Sequence, residues 1–164
     1  MWNEFGSRSW YDTAEICLNG HVSNSSIKTY PNDCKAFCDE CGEKTITSCS
    51  HCNQNIRGDE QDTNVYEMYS MPSYCIHCGQ PFPWISSRIE LAYELADLVD
   101  EFTELDKEII TKSIPDLVRD TPRQHIAILQ LKKVMKKTTP NIVSGFKDIL
   151  FDILTEPINK SLWG

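Results

Sequence analysis

The chain has 164 residues and carries 24 Asp and Glu against 16 Lys and Arg, which gives a formal net charge of −8 at pH 7. That length fits one ordinary domain or two small ones, and no apolar run approaches the ~20 residues of a membrane-spanning helix. The first residues lack the basic and apolar segments of a secretory signal, so we expect a soluble, cytoplasmic protein. Residues 1–85 hold 5 basic against 11 acidic side chains, which disfavours binding of this half to nucleic-acid phosphates.

Four aromatic side chains precede the first cysteine. Small metal-binding domains use large side chains as most of their core. We therefore interpret these aromatics as packing groups rather than as a surface that binds a base or another ligand. They are Trp2, Phe5, Trp10 and Tyr11.

All eight cysteines lie between residues 17 and 78, and the last 86 residues contain none. This distribution predicts a metal-binding domain over residues 1–84 and a helical domain over residues 85–164. A region of about 80 residues buries little apolar surface and usually needs a disulfide or a metal to hold it together. In a reducing cytosol, closely spaced cysteines indicate metal ligands rather than disulfides.

Four pairs of ligand residues are spaced as structural zinc sites require. Each pair can bring two S or N atoms to one ion, so four pairs provide the ligands of two tetrahedral Zn²⁺ sites. In three pairs the second cysteine is followed by Gly42, Asn53 or Gly79, which tolerate the positive φ of a zinc knuckle. The predicted metal ligands are Cys17, His21, Cys38, Cys41, Cys49, Cys52, Cys75 and Cys78.

Sequential grouping of the pairs is favoured, because it joins the first with the second and the third with the fourth through loops of zinc-ribbon length. An interleaved cross-brace and a nested grouping, which leaves seven residues between the inner pairs, stay open as alternatives. Cys34 is expected to be a spare thiol, although it lies close enough to Cys38 to substitute as a ligand. His51 and His77 lie between ligand cysteines and are expected to point away from the metal.

Short strands are predicted between the ligand pairs, where β-prone residues occur at 27–30, 45–47 and 65–69. The acidic run 58–62 is expected to be a solvated loop tip. The segment Gln80-Pro-Phe-Pro-Trp84 contains two prolines, so we expect a stiff connection with Phe82 and Trp84 packed between the two lobes.

Several of these motifs together resemble a bacterial family of uncharacterised double zinc-ribbon proteins. The resemblance implies tandem zinc ribbons with the eight ligands named above, and it implies no activity. Cys34 is not part of the pattern. The motifs are Ile16-Cys-Leu-Asn-Gly-His-Val22, Phe37-Cys-x-x-Cys-Gly42, Ile56-Arg-Gly58, Tyr74-Cys-x-x-Cys-Gly-x-Pro-Phe-Pro-Trp84, Asp120-Thr-Pro122 and the lysine-rich segment that follows.

From residue 85 the apolar residues recur with a helical period. A first helix is expected to begin at a capping box formed by Ser87 and Glu90. A second is expected to begin at Thr103 and to be interrupted by Pro115. The predicted buried residues are Leu91, Leu95, Leu98 and Phe102 in the first helix, and Leu105, Ile109 and Ile110 in the second.

Two further helices are predicted after Pro115. One opens at Thr121-Pro-Arg-Gln124, and the other opens at Thr139-Pro140, runs to Leu154 and is ended or kinked by Pro157. The wide apolar surface of the last helix is interpreted first as core, and alternatively as an oligomer or partner interface. The predicted buried face of the earlier helix is Ala127, Ile128, Leu131, Val134 and Met135.

The only basic segment covers residues 119–137, with six Lys and Arg against one acid. A solvated helix face is the favoured interpretation, and binding of an acidic or phosphate-rich partner or contact with a membrane are the alternatives. The candidate partner-binding residues are Arg119, Arg123, Lys132, Lys133, Lys136 and Lys137.

These patterns predict an α+β protein, in which tandem zinc ribbons with short β-hairpins and zinc knuckles precede a small α-helical C-terminal domain. With two enclosed Zn²⁺ ions, we expect a non-catalytic module that binds a protein partner or a second copy through its helical lobe. Nucleic-acid binding through residues 119–137 is the alternative. An enzyme is disfavoured, because the chain has no nucleophile elbow, metalloprotease helix, phosphate loop or thioredoxin-like βαβ unit, and His125 has no obvious catalytic partner.

Overall fold

The computed structural model describes residues 8–164. By its internal contacts the chain divides into two compact units, Met1–Trp84 and Ile85–Gly164. The predicted packing role of Trp2 and Phe5 concerns residues outside the described range. The predicted fold class is confirmed, since short antiparallel strands in the first part of the chain are followed by helices in the second.

Five short strands form two small antiparallel sheets within the described residues of the first unit. One sheet pairs β1 (Trp10–Thr13) with β5 (Arg57–Gln61), and the other has the order β3 (Val22–Asn24), β2 (Glu15–Cys17), β4 (Thr45–Ile46). The central strand β2 is buried along its whole length and ends at a predicted metal ligand. Within residues 8–84, the buried apolar side chains other than cysteine are Ala14, Ile16, Ile56, Phe82 and Trp84.

The predicted aromatic packing is wrong for Trp10 and Tyr11, which are 39% and 49% exposed. The indole Nε1 of Trp10 donates to Asp62 Oδ2 at 3.0 Å, and the Arg57 guanidinium lies 4.2 Å from the Tyr11 ring centroid. Each ring therefore has a polar partner at the surface. The small core is instead filled by Phe82 and Trp84, whose rings stack at 4.7 Å.

Two of the three predicted strands are absent from the described chain. Residues 27–29 form a turn, because the buried Asp12 carboxylate accepts hydrogen bonds from the backbone amides of Lys28 and Thr29. Residues 65–69 have no regular structure. The strand predicted at 45–47 is present as β4.

The run predicted as a solvated loop tip forms strand β5 instead. Its sequence, Arg-Gly-Asp-Glu-Gln, has no apolar residue and gives no strand signal. Pairing with β1 and a hydrogen bond from Asp59 N to Ser25 O at 2.8 Å hold it in an extended conformation. Tertiary hydrogen bonds thus override the local preference.

The second unit is helical. Its helices are α1 (Pro83–Asp97, which begins in the last two residues of the first unit), α2 (Glu104–Val118), α3 (Gln124–Met135), α4 (Pro140–Leu150) and α5 (Glu156–Trp163). None of the helices in the described part of the chain is both long enough and apolar enough to cross a membrane.

The predicted start of α1 is wrong, and so is its predicted buried face except for Phe102, which is buried as expected. The helix begins at Pro83, so Ser87 lies inside it rather than at its cap. At the positions that directly follow the predicted leucines, Ala92 and Ala96 in α1 and Val99 just after its end are buried instead. Leu91 and Leu98 are 49% and 79% exposed.

Helix α2 begins as predicted, because Thr103 and Asp106 form a reciprocal capping box. The predicted interruption at Pro115 is wrong, since the helix continues to Val118. Proline has no N–H for the carbonyl four residues earlier. The hydroxyl of Tyr93 donates to that carbonyl, Thr111 O, at 3.1 Å. The proline is tolerated because α1 supplies the missing donor.

The buried face predicted for α3 is confirmed at all five positions. Its predicted cap is wrong, because the N-cap residue is Arg123 and the Thr121 hydroxyl donates to Asp116 instead.

The predicted last helix is broken into two. Helix α4 ends at Leu150, a 3-10 turn covers Phe151–Ile153, and α5 carries Pro157 in its first turn, where no amide donor is needed. The Asn159 amide donates to Phe151 O and Leu154 O and so satisfies carbonyls at the break. Most of the wide apolar surface is buried, which agrees with its interpretation as core. The buried residues are Phe146, Leu150, Ile153, Leu154, Ile158 and Leu162.

Candidate metal centres

The three Cys-x-x-Cys pairs adopt one repeated backbone turn. In the first, Cys38 N donates to Glu43 O at 2.7 Å and Gly42 N donates to Cys38 O at 2.8 Å. The same two hydrogen bonds recur in the turns that begin at Cys49 and Cys75, with distances of 2.8 to 2.9 Å. An isolated antiparallel bridge closes each turn, between residues seven apart. Backbone hydrogen bonds therefore hold each pair in a two-ligand loop.

The residue after each second cysteine has the positive φ predicted for a zinc knuckle. The φ angles are 74° at Gly42, 60° at Asn53 and 73° at Gly79. This conformation turns the chain so that the following backbone amide can approach the cysteine sulfur, as seen for Glu43, Gln54 and Gln80. The residue types at these positions are explained by local backbone geometry.

The Cys17/His21 pair uses a different turn at the end of β2. Gly20 N donates to Cys17 O at 2.9 Å, and Gly20 has a φ of 93°. A Cβ at this glycine would lie 2.9 Å from the Cβ of Trp84. Gly20 is thus needed both for its backbone angle and for the close approach of Trp84, whose indole Nε1 donates to Pro72 O.

The structure brings the eight predicted ligands together in two clusters, grouped sequentially. In each cluster the four ligand atoms lie within 4.8 Å of one another. The interleaved and nested groupings do not occur. The first cluster contains Cys17, His21, Cys38 and Cys41, and the second contains Cys49, Cys52, Cys75 and Cys78. Both are sites that could hold a metal ion.

The distances inside the clusters leave the thiols unbonded to each other. The sulfur atoms of Cys49 and Cys78 are 3.8 Å apart, and those of Cys52 and Cys75 are 3.7 Å apart. A disulfide bond is about 2.04 Å long. In the first cluster, His21 directs Nδ1 at the sulfurs, which lie 3.5 Å away in Cys17 and 3.6 Å away in Cys38.

Two polar residues beside the first cluster were not identified from the sequence. Glu40 places a carboxylate oxygen 3.8 Å from His21 Nε2, and Asn19 directs its side-chain amide at Cys41 Sγ at 3.4 Å. A ligand histidine commonly has a carboxylate near its second nitrogen, so the acid inside Cys38-Asp-Glu-Cys41 was the available signal.

Backbone amides stabilise the thiolate form in the first cluster. The amide of Glu43 and the side chain of Asn19 lower the pKa of Cys41 to about 6. Burial raises the pKa of Cys17, although the amides of His21 and Asn19 oppose it. Hydrogen-bond donors and burial thus shift the pKa values of these two thiols in opposite directions.

The second cluster shows the same opposition. Burial raises the pKa of Cys75, but the backbone amides of His77 and Cys78 outweigh it and bring the value to about 7. The amide of Gln80 lowers the pKa of Cys78, yet burial and the adjacent thiols raise it to about 12. Thiolates repel each other, so four of them at this spacing require a cation.

The remaining candidate ligands lie outside the clusters. Cys34 is an exposed free thiol near the Asn24 side chain, and partial desolvation of its sulfur together with the Glu15 carboxylate raises its pKa. His51 and His77 are exposed and belong to neither cluster.

The six basic candidates in the second unit do not act as one group. Lys137 Nζ lies 2.6 Å from Asp106 Oδ1, and Arg123 Nε lies 3.3 Å from Asp116 Oδ2. Arg119 also has an interaction partner. The exposed cations of α3 and its C-terminal cap with no ion pair in residues 8–164 are Lys132, Lys133 and Lys136.

No curated protein and no solved structure matches the chain. A family model matches the chain over residues 10–162. The matched range includes both clusters and the five helices, except for the last residue of α5. By this match, the chain belongs to DUF2321, the family described as an uncharacterized protein conserved in bacteria.

Proposed function

We propose that each cluster binds one structural Zn²⁺ and that the protein is a non-catalytic interaction module. The observation that carries this proposal is the convergence of four ligand atoms at each site. Structural zinc is enclosed by four protein ligands, whereas catalytic zinc has three and keeps a position for water. With four ligands available, neither cluster leaves an open position for substrate.

The spacing of the ligand atoms supports zinc. Four sulfurs at the Zn–S distance of about 2.3 Å from a tetrahedral ion are about 3.8 Å from each other. The observed sulfur separations are 3.7 and 3.8 Å. For one sulfur and one imidazole nitrogen the same geometry gives about 3.6 Å. The observed separations from His21 Nδ1 are 3.5 and 3.6 Å.

The composition of the first unit supports a structural role for the ions. Its apolar core contains five residues in the described range, and four cysteines, Cys17, Cys38, Cys49 and Cys75, are buried beside them. Zinc binding to such sites contributes folding free energy on the order of 10 kcal/mol each. The ions would replace a core that the unit is too small to build.

Native mass spectrometry of protein purified without added metal tests this proposal. We expect two zinc ions per chain. Cys38→Ser and Cys75→Ser should each lose one ion, while the matched control Cys34→Ser should keep both. Iron in place of zinc, which a four-cysteine site also accepts, or metal loss from the control, would contradict the assignment.

Nucleic-acid binding through residues 119–137 is the weaker proposal. Its support is the group Lys132, Lys133 and Lys136, which has no ion pair in the described chain. Carboxylates already neutralise Lys137 and Arg123. Binding of single- or double-stranded DNA that weakens steeply with added salt would favour it over protein interaction.

A further inference from the structure

Helix α1 and the residue that directly follows it expose an apolar pair flanked by acidic residues. Leu91 and Leu98 are seven residues apart and 49% and 79% exposed, and Glu90 and Glu94 are exposed beside them. Residues spaced by three, four and seven share one side of a helix. These four residues form the acidic surface. Neither glutamate has an ion pair within residues 8–164.

Helix α3 exposes an apolar pair that is followed by basic residues. Ile126 and Leu129 are 49% and 68% exposed, and Lys132, Lys133 and Lys136 follow at the same helical spacing. These five residues form the basic surface. The opposite side of α3 is buried, so the intramolecular packing of this helix is already satisfied without them.

Other contacts of the second unit leave both surfaces uncovered. Helix α1 is held by the hydrogen bond from Tyr93 to Thr111 O in α2 and by that from Arg88 to Ile149 O in α4. Helix α3 packs on α2 and α5. A single exposed leucine needs no explanation, but two aligned apolar pairs with flanking charge of opposite sign are complementary.

We propose that the basic surface of one copy of the chain binds the acidic surface of a second copy. This contact rests on the proposed function, because it specifies the partner of the interaction module. Leu91 and Leu98 pack against Ile126 and Leu129, and the glutamates lie opposite the lysines. The apolar pairs supply most of the affinity, while the charges set the orientation and make association dependent on salt.

Each contact joins two different surfaces, so the rotation that relates neighbouring copies determines the size of the assembly. Copies related by a closing rotation form a dimer or a ring, and copies related by any other operation form a longer chain. The acidic surface cannot bind a second acidic surface, because like charges would face each other without compensation.

Charge exchange tests the contact. Sedimentation velocity of the zinc-loaded full chain should show association that increases with concentration and weakens between about 0.05 M and about 0.5 M salt. The variants E90K/E94K and K132E/K133E should each weaken the apparent association constant at least about tenfold. An equimolar mixture of the two should associate again, because each then offers the surface that the other lacks.

Matched variants separate this contact from general charge effects. K147E and D148K change exposed charges on α4 and should leave association unchanged. L98Q and L129Q should weaken it without loss of helical circular dichroism, since both side chains are mostly exposed. A wild type that stays monomeric, or a mixture of the charge variants that does not associate, would overturn the contact.

The same samples distinguish the two proposals by their metal content. A monomer with two zinc ions refutes the contact and leaves the structural role of zinc intact. A protein that associates through these surfaces but lacks bound zinc refutes the proposed role of the metal and retains the contact.

Discussion

Gly58→Ala tests the close approach that fixes strand β5. A Cβ on Gly58 would lie 2.1 Å from Ser25 O, 2.8 Å from Thr13 C and 3.0 Å from Ala14 N. All three atoms belong to the backbone of segments that are distant from Gly58 in the sequence. No side-chain rotation relieves this clash, so β5 or the turn at Ser25 has to move.

The cost follows from the hydrogen bonds that such a movement breaks. Asp59 N donates to Ser25 O at 2.8 Å, and the Ser25 hydroxyl donates to the Asp59 carboxylate. Each hydrogen bond contributes about 1 kcal/mol, and the displaced backbone contacts add to the loss. We expect the free energy of unfolding of the first unit to fall by about 3 kcal/mol.

Urea unfolding in zinc-containing buffer measures this loss. In a Trp163→Phe background, the remaining tryptophans all belong to the first unit, so their emission reports that unit. Gly42→Ala is the control, because its Cβ meets nothing within 4 Å and only its φ of 74° is unfavourable. The control should cost about 1 kcal/mol. Equal losses in the two variants would refute the close-approach argument.

Three further predictions concern the first cluster and α2. His21→Ala should release one zinc ion, whereas His21→Cys should retain both, as counted by native mass spectrometry; equal metal content would exclude His21 as a ligand. Gly20→Ala should destabilise the zinc-loaded first unit by about 1 kcal/mol more than Gly42→Ala in urea unfolding, because its Cβ also meets Trp84 at 2.9 Å. Lys137 and the Thr103 cap lower the pKa of Asp106, so the stability that it provides is present above pH ~4 and is lost as the pH falls through the lowered value. Asp106→Asn should lower the free energy of unfolding by about 1 to 2 kcal/mol at pH 7 and make the thermal unfolding temperature less dependent on pH in the acid range. An unchanged pH dependence would contradict this role.

The metal clusters could be predicted because their signals are local. A Cys-x-x-Cys followed by Gly or Asn encodes both the ligand spacing and the positive φ of the knuckle within five residues. The buried face of α3 could be predicted equally well, since its apolar residues keep a helical period and fill the core. Both features depend on neighbours along the chain.

The features that were missed depend on contacts between distant residues. Strand β5 has no β-prone sequence and is fixed by β1 and Ser25. The buried face of α1 uses small alanines, so the larger leucines beside them indicated the wrong side. Pro115 stays inside α2 because Tyr93 satisfies the carbonyl that the proline leaves without a donor. No local pattern carries this information.

Zinc K-edge X-ray absorption of the protein as purified reports the ligands of both metal sites in one spectrum. The two clusters contain seven cysteines and one histidine. We expect two zinc ions that share seven sulfur ligands at about 2.3 Å and one imidazole nitrogen at about 2.0 Å, with no oxygen bound to either ion. A water or carboxylate oxygen bound to zinc, or a sulfur count below seven, would contradict enclosed structural sites.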